Sequence, residues 1–281
     1  MKPMMPNNPK KLGLIAGEGN MPVYIARKAV ARGYDVFVLG LKGNAREADY
    51  KGCCQAFKSI RLGQLGAGIE FFKTHGVCQI VMAGRVQHTS IFTNLMPDKR
   101  GLAFLASLKS MQTKYILSRL IEECAREGFT FENSALFLED FFPHKGVLSK
   151  RQPTQDEQKT IDYGFSIAKQ IAALDIGLTC VVSQQAVIAV EGMEGTDRCI
   201  ARAGELYKKA AEKESSVAVV KVARPNQDMR YDLPVIGRGT LKSVHKAGFP
   251  ILAFEAGKTL VMDLDEVVAM ADKLNICLVA V

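Results

Sequence analysis

Apolar and polar residues follow two different periodicities along the first half of the chain. The runs "KLGLIAG" and "YDVFVLGL" predict buried strands, and "MPVYIARKAVARG" between them predicts a helix with Val23, Ala26 and Val30 on one face. The segments "GAGIEFFKTHG" and "CQIVMAG" repeat the helix and the strand, so we expect a third strand that ends at Ala83 and Gly84. Strands joined by such helices form right-handed parallel units. The pattern therefore predicts a Rossmann-like parallel sheet.

The rhythm changes after a long apolar helix pattern. Apolar residues recur at three- and four-residue steps from Leu102 to Glu127, which predicts one amphipathic helix, and Gly128 is a natural stop for it. Short strand-like runs then predominate, with Gly257 expected to turn a hairpin. The fold class is thus α/β, with a Rossmann-like N-terminal domain at residues 1–134 and an α+β C-terminal domain at residues 135–281.

Charge and cysteine usage narrow the class of protein. The chain has 281 residues and a net charge of +8, and the first 150 residues carry all of the excess, which suits an anionic ligand or surface. No tryptophan and no basic run with interleaved aromatics occur, so nucleic acid is not expected as a partner. The seven cysteines contain no C-x-x-C pair, which favours a reducing cytoplasm, and Cys78, Cys180 and Cys277 are expected in the core. No apolar run is long enough to span a bilayer, and the first residues do not resemble a signal peptide.

The stretch "GLIAGEGNMP" resembles half of a dinucleotide fingerprint. Gly17 and Gly19 match the first two glycines of G-x-G-x-x-G, but Pro22 occupies the third position. The acidic residue expected after the second strand is replaced by Lys42, which cannot accept hydrogen bonds from a ribose. These changes argue against an NAD-linked oxidoreductase. Ligands of open α/β sheets bind beyond the carboxyl ends of strands, so Gly17 and Gly84 are expected at one crevice.

The turn "EGMEGTDR" joins a predicted strand to a predicted helix. A purely structural interpretation makes Thr196 the helix N-cap and places Asp197 favourably in the first turn. It leaves Glu191, Glu194 and Gly195 unexplained. A turn rich in backbone N–H groups at a helix start also binds phosphate, and both interpretations stay open.

The stretch "KVARPNQDMRYDLPVIG" is unusual in its density of polar residues. Its predicted loop carries Lys221, Arg224, Gln227, Asp228, Arg230 and Asp232. Such a loop is often a solvated surface. Carboxylates beside lysine and arginine also suit a metal–phosphate site, because Mg²⁺ is usually held by one or two carboxylates plus substrate phosphates. Glu255 in "AFEAGKTLVMD" fits either a surface position or a supporting role.

Seven segments occur in the order and spacing of the UDP-2,3-diacylglucosamine pyrophosphatases of the LpxI type. They are "LGLIAGEGNMP", "MAG", "LMPDKRG", "EGF", "AVEGMEGTD", "KVARPNQDMRYDLPVIG" and "FEAGKTLVMD". The resemblance covers residues 11–281. It implies hydrolysis of UDP-2,3-diacylglucosamine, with Mg²⁺ as the cofactor, to the diacyl sugar 1-phosphate (lipid X) and UMP. Mn²⁺ is expected to substitute for Mg²⁺.

The resemblance also implies roles for individual residues. Asp232 is the implied catalytic carboxylate, with attack at the sugar-side phosphorus, and Asp197 and Asp228 are implied to be its metal or phosphate neighbours. The metal set is therefore Asp232, Asp197 and Asp228. The substrate-binding set is Gly17, Gly19, Asn20, Gly84, Thr196, Asp197, Lys221, Gln227 and Arg230.

The family pattern is not matched everywhere. The chain has "QHTSIF" at 87–92, "MQTKYIL" at 111–117 and Leu178 where the family usually differs, which puts acyl-chain and uridine contacts in question. A non-catalytic nucleotide-sugar-binding regulator is the alternative function. The implied partners are the lipid substrate and the inner face of the inner membrane, where a cytoplasmic protein would associate peripherally. The sequence leaves the oligomeric state open, and a homodimer is one option.

Overall fold

The computed structural model describes residues 10–86, 95–209 and 216–281. The chain divides into two compact units. Unit 1 extends to Leu138 and includes Met229–Tyr231, and unit 2 contains Glu139–Asp228 and Asp232–Val281. The expected domain boundary near residue 134 stays a prediction.

Unit 1 contains a five-stranded parallel sheet in the order β3-β2-β1-β4-β5. Its strands are β1 (Lys10–Ala16), β2 (Tyr34–Leu41), β3 (Ala56–Ile60), β4 (Gln79–Ala83) and β5 (Thr130–Phe131). Its helices are α1 (Met21–Ala31), α2 (Leu65–Thr74), α3 (Lys99–Ala106) and α4 (Thr113–Arg126), with 3-10 turns at Glu47–Tyr50 and Ser134–Phe137. The predicted parallel sheet is confirmed.

The core of unit 1 lies on both faces of its sheet. Phe37 and Leu39 of β2 pack with Phe72 of α2 on one face, while α1 contacts β1, β2 and β4. The buried residues of α1 are Pro22, Ile25, Ala26 and Ala29. Val30 is exposed, so the predicted face of this helix was wrong by part of a turn.

Two further expectations for unit 1 are corrected. The strand that ends at Ala83 is the fourth, because the short and half-buried edge strand β3 carries too weak an apolar pattern to be recognised. The predicted single helix from Leu102 to Glu127 is two helices, α3 and α4. The linker "SLKSMQ" separates them, and there the Ser110 hydroxyl accepts a hydrogen bond from the Gln112 N–H, so the side chain competes with helical bonding. Gly128 follows α4 at φ +88° and ends it as predicted.

Unit 2 contains a mixed six-stranded sheet in the order β6-β13-β11-β9-β7-β8. Its strands are β6 (Gly146–Val147), β7 (Thr179–Ser183), β8 (Ala186–Val190), β9 (Val217–Lys221), β11 (Ile251–Phe254) and β13 (Cys277–Ala280), and β10 (Val235–Ile236) pairs separately with β12 (Leu260–Val261). Its helices are α5 (Gln155–Ala173), α6 (Thr196–Lys208), α7 (Arg238–Ala247) and α8 (Leu264–Lys273), with a 3-10 turn at Glu139–Phe141.

Three central strands of unit 2, β9, β11 and β13, are parallel, and α7 and α8 connect them. Their side chains alternate between two cores: Val219 faces the core shared with α6 to α8, and Val220 faces the core shared with α5. The mixed sheet agrees with the predicted fold class. Gly257 adopts φ +66° in a turn, but the predicted hairpin is wrong because the flanking strands β11 and β12 belong to different sheets.

Two features bear on the expectations from composition. Among the described residues, no helix is long and apolar enough to cross a membrane. Cys180 and Cys277 are buried as expected. Cys78 is exposed, since it lies in the turn before β4 and not within the strand.

Candidate functional site

A buried lysine ends the central strand β9. Lys221 is 9% exposed, and its Nζ donates a hydrogen bond of 2.9 Å to Thr196 Oγ1. Burial lowers the pKa of Lys221 below that of an ordinary lysine, while the negative charges of Glu191, Asp197 and Asp232 oppose the decrease. Lys221 is therefore a desolvated ammonium whose charge interacts with those of several carboxylates of unit 2.

The sequence suggested Thr196 as the N-cap of α6, but the structure does not confirm this. Gly195 takes that place at φ +83°, a conformation that favours glycine, and Thr196 is the first helical residue. The Thr196 hydroxyl accepts from Lys221 and donates to Glu191 Oε1 at 3.0 Å, and it lies 3.3 Å from the Thr179 hydroxyl. These bonds fill its hydrogen-bonding capacity. Thr196 therefore positions Lys221, and any contact with a ligand would come through the backbone N–H groups at the helix start.

The two glutamates of this turn have structural roles. Glu191 Oε2 accepts from the Leu178 N–H at 3.2 Å, so this carboxylate links β8 to the residue before β7. Glu194 accepts from the Gly192 N–H at 3.0 Å and from Arg202 at 2.6 Å. The Arg202 hydrogen bond lowers the pKa of Glu194.

Asp197 lies in the first turn of α6, as predicted. Its Oδ1 accepts a 3.0 Å hydrogen bond from Ser243 of α7, a partner that no sequence motif indicated. The helix dipole favours a carboxylate at this position. Asp197 is thus fixed in orientation while it faces the charge of Lys221.

The loop after β9 is held by bonds among its own side chains. Arg224 Nη1 donates to Asp232 Oδ2 at 2.8 Å, and Arg224 Nε donates to Asp175 Oδ1 at 2.5 Å. The Gln227 side chain accepts from the Arg224 N–H at 3.0 Å and donates to the Asp232 carbonyl at 2.5 Å. Gln227 therefore shapes the loop that carries Asp232, and its contact with substrate stays a prediction.

Asp228 and Arg230 are divided between the units. The Asp228 carbonyl accepts a 3.0 Å hydrogen bond from the Asp232 N–H within unit 2. Arg230 belongs to Met229–Tyr231, which is part of unit 1. There, Ser134 donates to the Met229 carbonyl at 3.2 Å. The predicted site residues thus form two groups, one in each unit.

The glycines of unit 1 serve a contact between two loops. The loops after β1 and β4 exchange backbone hydrogen bonds between Glu18 and Arg85 at 2.8 and 3.0 Å. A Cβ on Gly17 would lie 2.8 Å from the Arg85 carbonyl oxygen, and one on Gly84 would lie 2.7 Å from the Gly17 carbonyl carbon. The two glycines therefore lie side by side, as expected, and the contact between their loops explains them without a ligand.

Gly19 and Asn20 differ from those two glycines. Gly19 has φ +107°, and a Cβ added there would meet no atom within 4 Å among the described residues. Asn20 is the N-cap of α1, but its side chain does not make a capping hydrogen bond. The positive φ explains why glycine occupies this position, and no described residue fills the space beside it.

Asp197 and Asp232 have the chemistry of a magnesium site. Each uses one oxygen in a hydrogen bond described above and retains a second, and Mg²⁺ usually takes one or two carboxylates plus substrate phosphates. Within the described ranges, no group of three or more His, Cys, Asp and Glu side chains is placed to hold a metal ion by itself. Asp197, Asp228 and Asp232 thus do not form a closed protein cage, and their metal role stays a prediction.

The fold and site define a two-unit α/β protein in which a buried lysine lies among carboxylates. Two family profiles match it: the LpxI N-terminal domain over residues 11–141 and the LpxI C-terminal domain over residues 144–279. The chain belongs to the LpxI family. It is 34% identical over 280 residues to the UDP-2,3-diacylglucosamine pyrophosphatase LpxI of Caulobacter vibrioides (strain ATCC 19089 / CIP 103742 / CB 15). The alignment covers 97% of this chain and 98% of that protein.

Solved structures resemble this chain only distantly. Acinetobacter baumannii MurG matches with a TM-score of 0.29 and 14% identity over 96% of this chain and 86% of that one. N5-carboxyaminoimidazole synthetase of Staphylococcus aureus matches with a TM-score of 0.27 and 12% identity over 65% of this chain and 41% of that one. These scores are too low to support an argument about function.

Proposed function

We propose that this chain hydrolyses the pyrophosphate of UDP-2,3-diacylglucosamine to 2,3-diacylglucosamine 1-phosphate (lipid X) and UMP, in lipid A biosynthesis. Membership of the LpxI family supports the substrate. The observation that carries the chemistry is the buried Lys221 ammonium, which bonds to Thr196 and whose pKa is affected by the charges of Asp197 and Asp232. A doubly negative pyrophosphate repels a nucleophile, so cationic groups must first neutralise its charge.

The residues of unit 2 divide this work. Lys221 supplies a desolvated positive charge, which acts more strongly on a phosphate than a solvated one would. Arg224 fixes the Asp232 carboxylate, so that its second oxygen is available to orient water or to bind the cofactor. The N–H groups at the start of α6 favour a phosphate oxygen. Mg²⁺ bound by Asp197 and Asp232 would supply further neutralisation of the pyrophosphate.

The reaction breaks one bond of the pyrophosphate bridge. We expect the water oxygen to bond to the sugar-side phosphorus, while the bridging oxygen leaves with UMP. In ¹⁸O-labelled water, the label should then enter lipid X and not UMP. Gly17, Gly19, Asn20, Gly84 and Arg230, all in unit 1, are also proposed to bind substrate.

The direct test is incubation of the purified chain with UDP-2,3-diacylglucosamine and Mg²⁺, with UMP measured as the product. EDTA should stop the reaction, and Mg²⁺ or Mn²⁺ should restore it. Binding of substrate without UMP formation would favour the alternative, a non-catalytic nucleotide-sugar-binding regulator. Turnover that is indifferent to chelation would remove the metal from the proposal.

A segment of unit 1 is proposed to contact the membrane that contains the lipid substrate. Four large apolar residues within 95–111 are exposed, namely Leu95, Met96, Leu102 and Met111. The same segment carries Lys99 and Lys109. Exposed apolar residues among basic ones are typical of segments that lie at an anionic bilayer surface. This supports a peripheral position at the inner face of the inner membrane.

The departures from the family pattern at residues 87–92 lie outside the described residues.

A further inference from the structure

A second charged group lies beside the Asp232 loop, at the end of strand β11. Glu255 directly follows β11, and its backbone N–H donates to the Lys221 carbonyl of β9 at 3.0 Å. Glu255 is 7% exposed. A buried carboxylate is costly unless several partners compensate it, so its contacts call for an explanation.

Those contacts converge on Ala223, which follows the end of the neighbouring strand β9. Glu255 Oε2 accepts from the Ala223 N–H at 2.9 Å, and Lys169 Nζ donates to the Ala223 carbonyl at 2.9 Å. Lys169 also contacts both oxygens of Glu255, at 3.0 and 3.1 Å, and Lys258 reaches Oε1 at 3.0 Å. Both polar groups of the Ala223 backbone are therefore bonded to one ion pair.

Ala223 is the point where the loop that carries Asp232 leaves the sheet. Strand β9 ends at Lys221, and the next residue after Ala223 is Arg224, whose guanidinium holds Asp232. The Val222 N–H still bonds to the Leu178 carbonyl at 2.9 Å, but the partners of the Ala223 N–H and carbonyl are the side chains of Glu255 and Lys169. A displacement there would reach Asp232 through Arg224.

We propose that Lys169 and Glu255 are positioning residues for the reaction, which hold Ala223 so that Arg224 and Asp232 meet the pyrophosphate correctly. The proposal rests on the proposed function. Its alternative is that the pair only stabilises unit 2. A positioning role lowers kcat at unchanged KM, because misplacement of a group that acts in the transition state slows the chemical step.

The experiment compares two buried carboxylates of the same unit. Glu255→Gln removes the charge at the loop. Glu157→Gln is the matched control, because Glu157 is 5% exposed and pairs with Arg151 at 2.6 Å near the start of α5. Both changes are expected to lower the melting temperature. Only Glu255→Gln is expected to lower kcat, by roughly 10- to 100-fold per folded enzyme, with KM changed less than about 2-fold.

Lys169→Gln gives a second variant at a more exposed position, should Glu255→Gln fail to fold, and it should lower kcat in the same way. Hydrogen exchange of residues 222–228 should quicken in both loop variants and not in Glu157→Gln. Wild type that makes no UMP would contradict the proposed function. Active wild type together with a folded Glu255→Gln or Lys169→Gln of normal kcat would overturn the positioning role.

Discussion

At the scale of single residues, the site depends on one desolvated charge. The pKa of Lys221 is lowered by burial, in spite of Glu191, Asp197 and Asp232. Its ammonium therefore loses its proton at a lower pH than an ordinary lysine, for which the pKa is about 10.4. We predict that kcat/KM decreases with rising pH as Lys221 loses its proton, and that this decrease occurs at a lower pH than the pKa of an ordinary lysine. The pH–rate profile of Lys221→Met should lack this limb at a much lower rate, and Lys159→Met, at an exposed lysine, should retain it.

The lowered pKa of Lys221 affects stability in the direction opposite to its effect on kcat/KM. Between the folded and unfolded pKa values of Lys221, the unfolded chain binds more protons, so this residue makes the free energy of unfolding rise with pH. Chemical denaturation at several pH values, with Lys221→Met as the reference, should isolate that slope. An identical slope in the two proteins would contradict the assignment of a depressed pKa.

Asp232 carries the second prediction at this scale. Asp232→Ala should lower kcat by about 10² or more, because it removes a carboxylate that orients water or binds the metal. It should leave unit 2 folded, since a loop carboxylate contributes little to the core. Asp156→Ala, at an exposed aspartate of α5, is the control and should keep normal turnover. Near-normal turnover of Asp232→Ala would overturn the assignment.

At the scale of elements, the sequence predicted periodicity well and side-chain partners poorly. The apolar runs located β1, β2 and β4 because their patterns are strong. The break between α3 and α4 was missed because Ser107 and Ser110 do not interrupt the apolar spacing. Thr196 looked like an N-cap, yet its hydroxyl is used by Lys221, which lies far away in the sequence. Long-range contacts of this kind leave no local pattern.

The loops after β1 and β4 allow a test of why their glycines are required. Gly17→Ala and Gly84→Ala should each lower stability by about 2 kcal/mol or more, since a Cβ would overlap the opposite backbone. Gly19→Ala should cost only about 1 kcal/mol for its positive φ. Melting temperature and kinetics should be measured on the same samples.

The kinetics of Gly19→Ala then decide the role of the loop. A raised KM for UDP-2,3-diacylglucosamine, with a small loss of stability, would indicate that the ligand approaches this backbone. Normal kinetics would make Gly19 a residue of the turn alone. Submicromolar NAD binding by the wild type would contradict the argument from the broken fingerprint.

At the scale of the whole molecule, composition and element order predicted the architecture better than the site. The alternation of strands and helices indicated a parallel sheet in the first half, and the shorter strands indicated an α+β domain in the second, where the sheet is mixed. The candidate residues Asp197, Lys221 and Asp232 were also predicted. Lys169 and Ser243 could not be, because each lies in an ordinary helical pattern and gains its role only through packing.

The last prediction concerns the approach to a lipid surface. Leu102→Gln combined with Met111→Gln should weaken binding to vesicles that contain anionic lipid, because both side chains are more than half exposed in a basic segment. KM for substrate presented in vesicles should rise while kcat stays normal. Leu174→Gln removes an exposed apolar residue of unit 2 and should change neither quantity. Added salt should weaken wild-type binding, since the basic side chains act through screened charge. Vesicle binding that the double substitution leaves intact would place the membrane contact elsewhere on the chain.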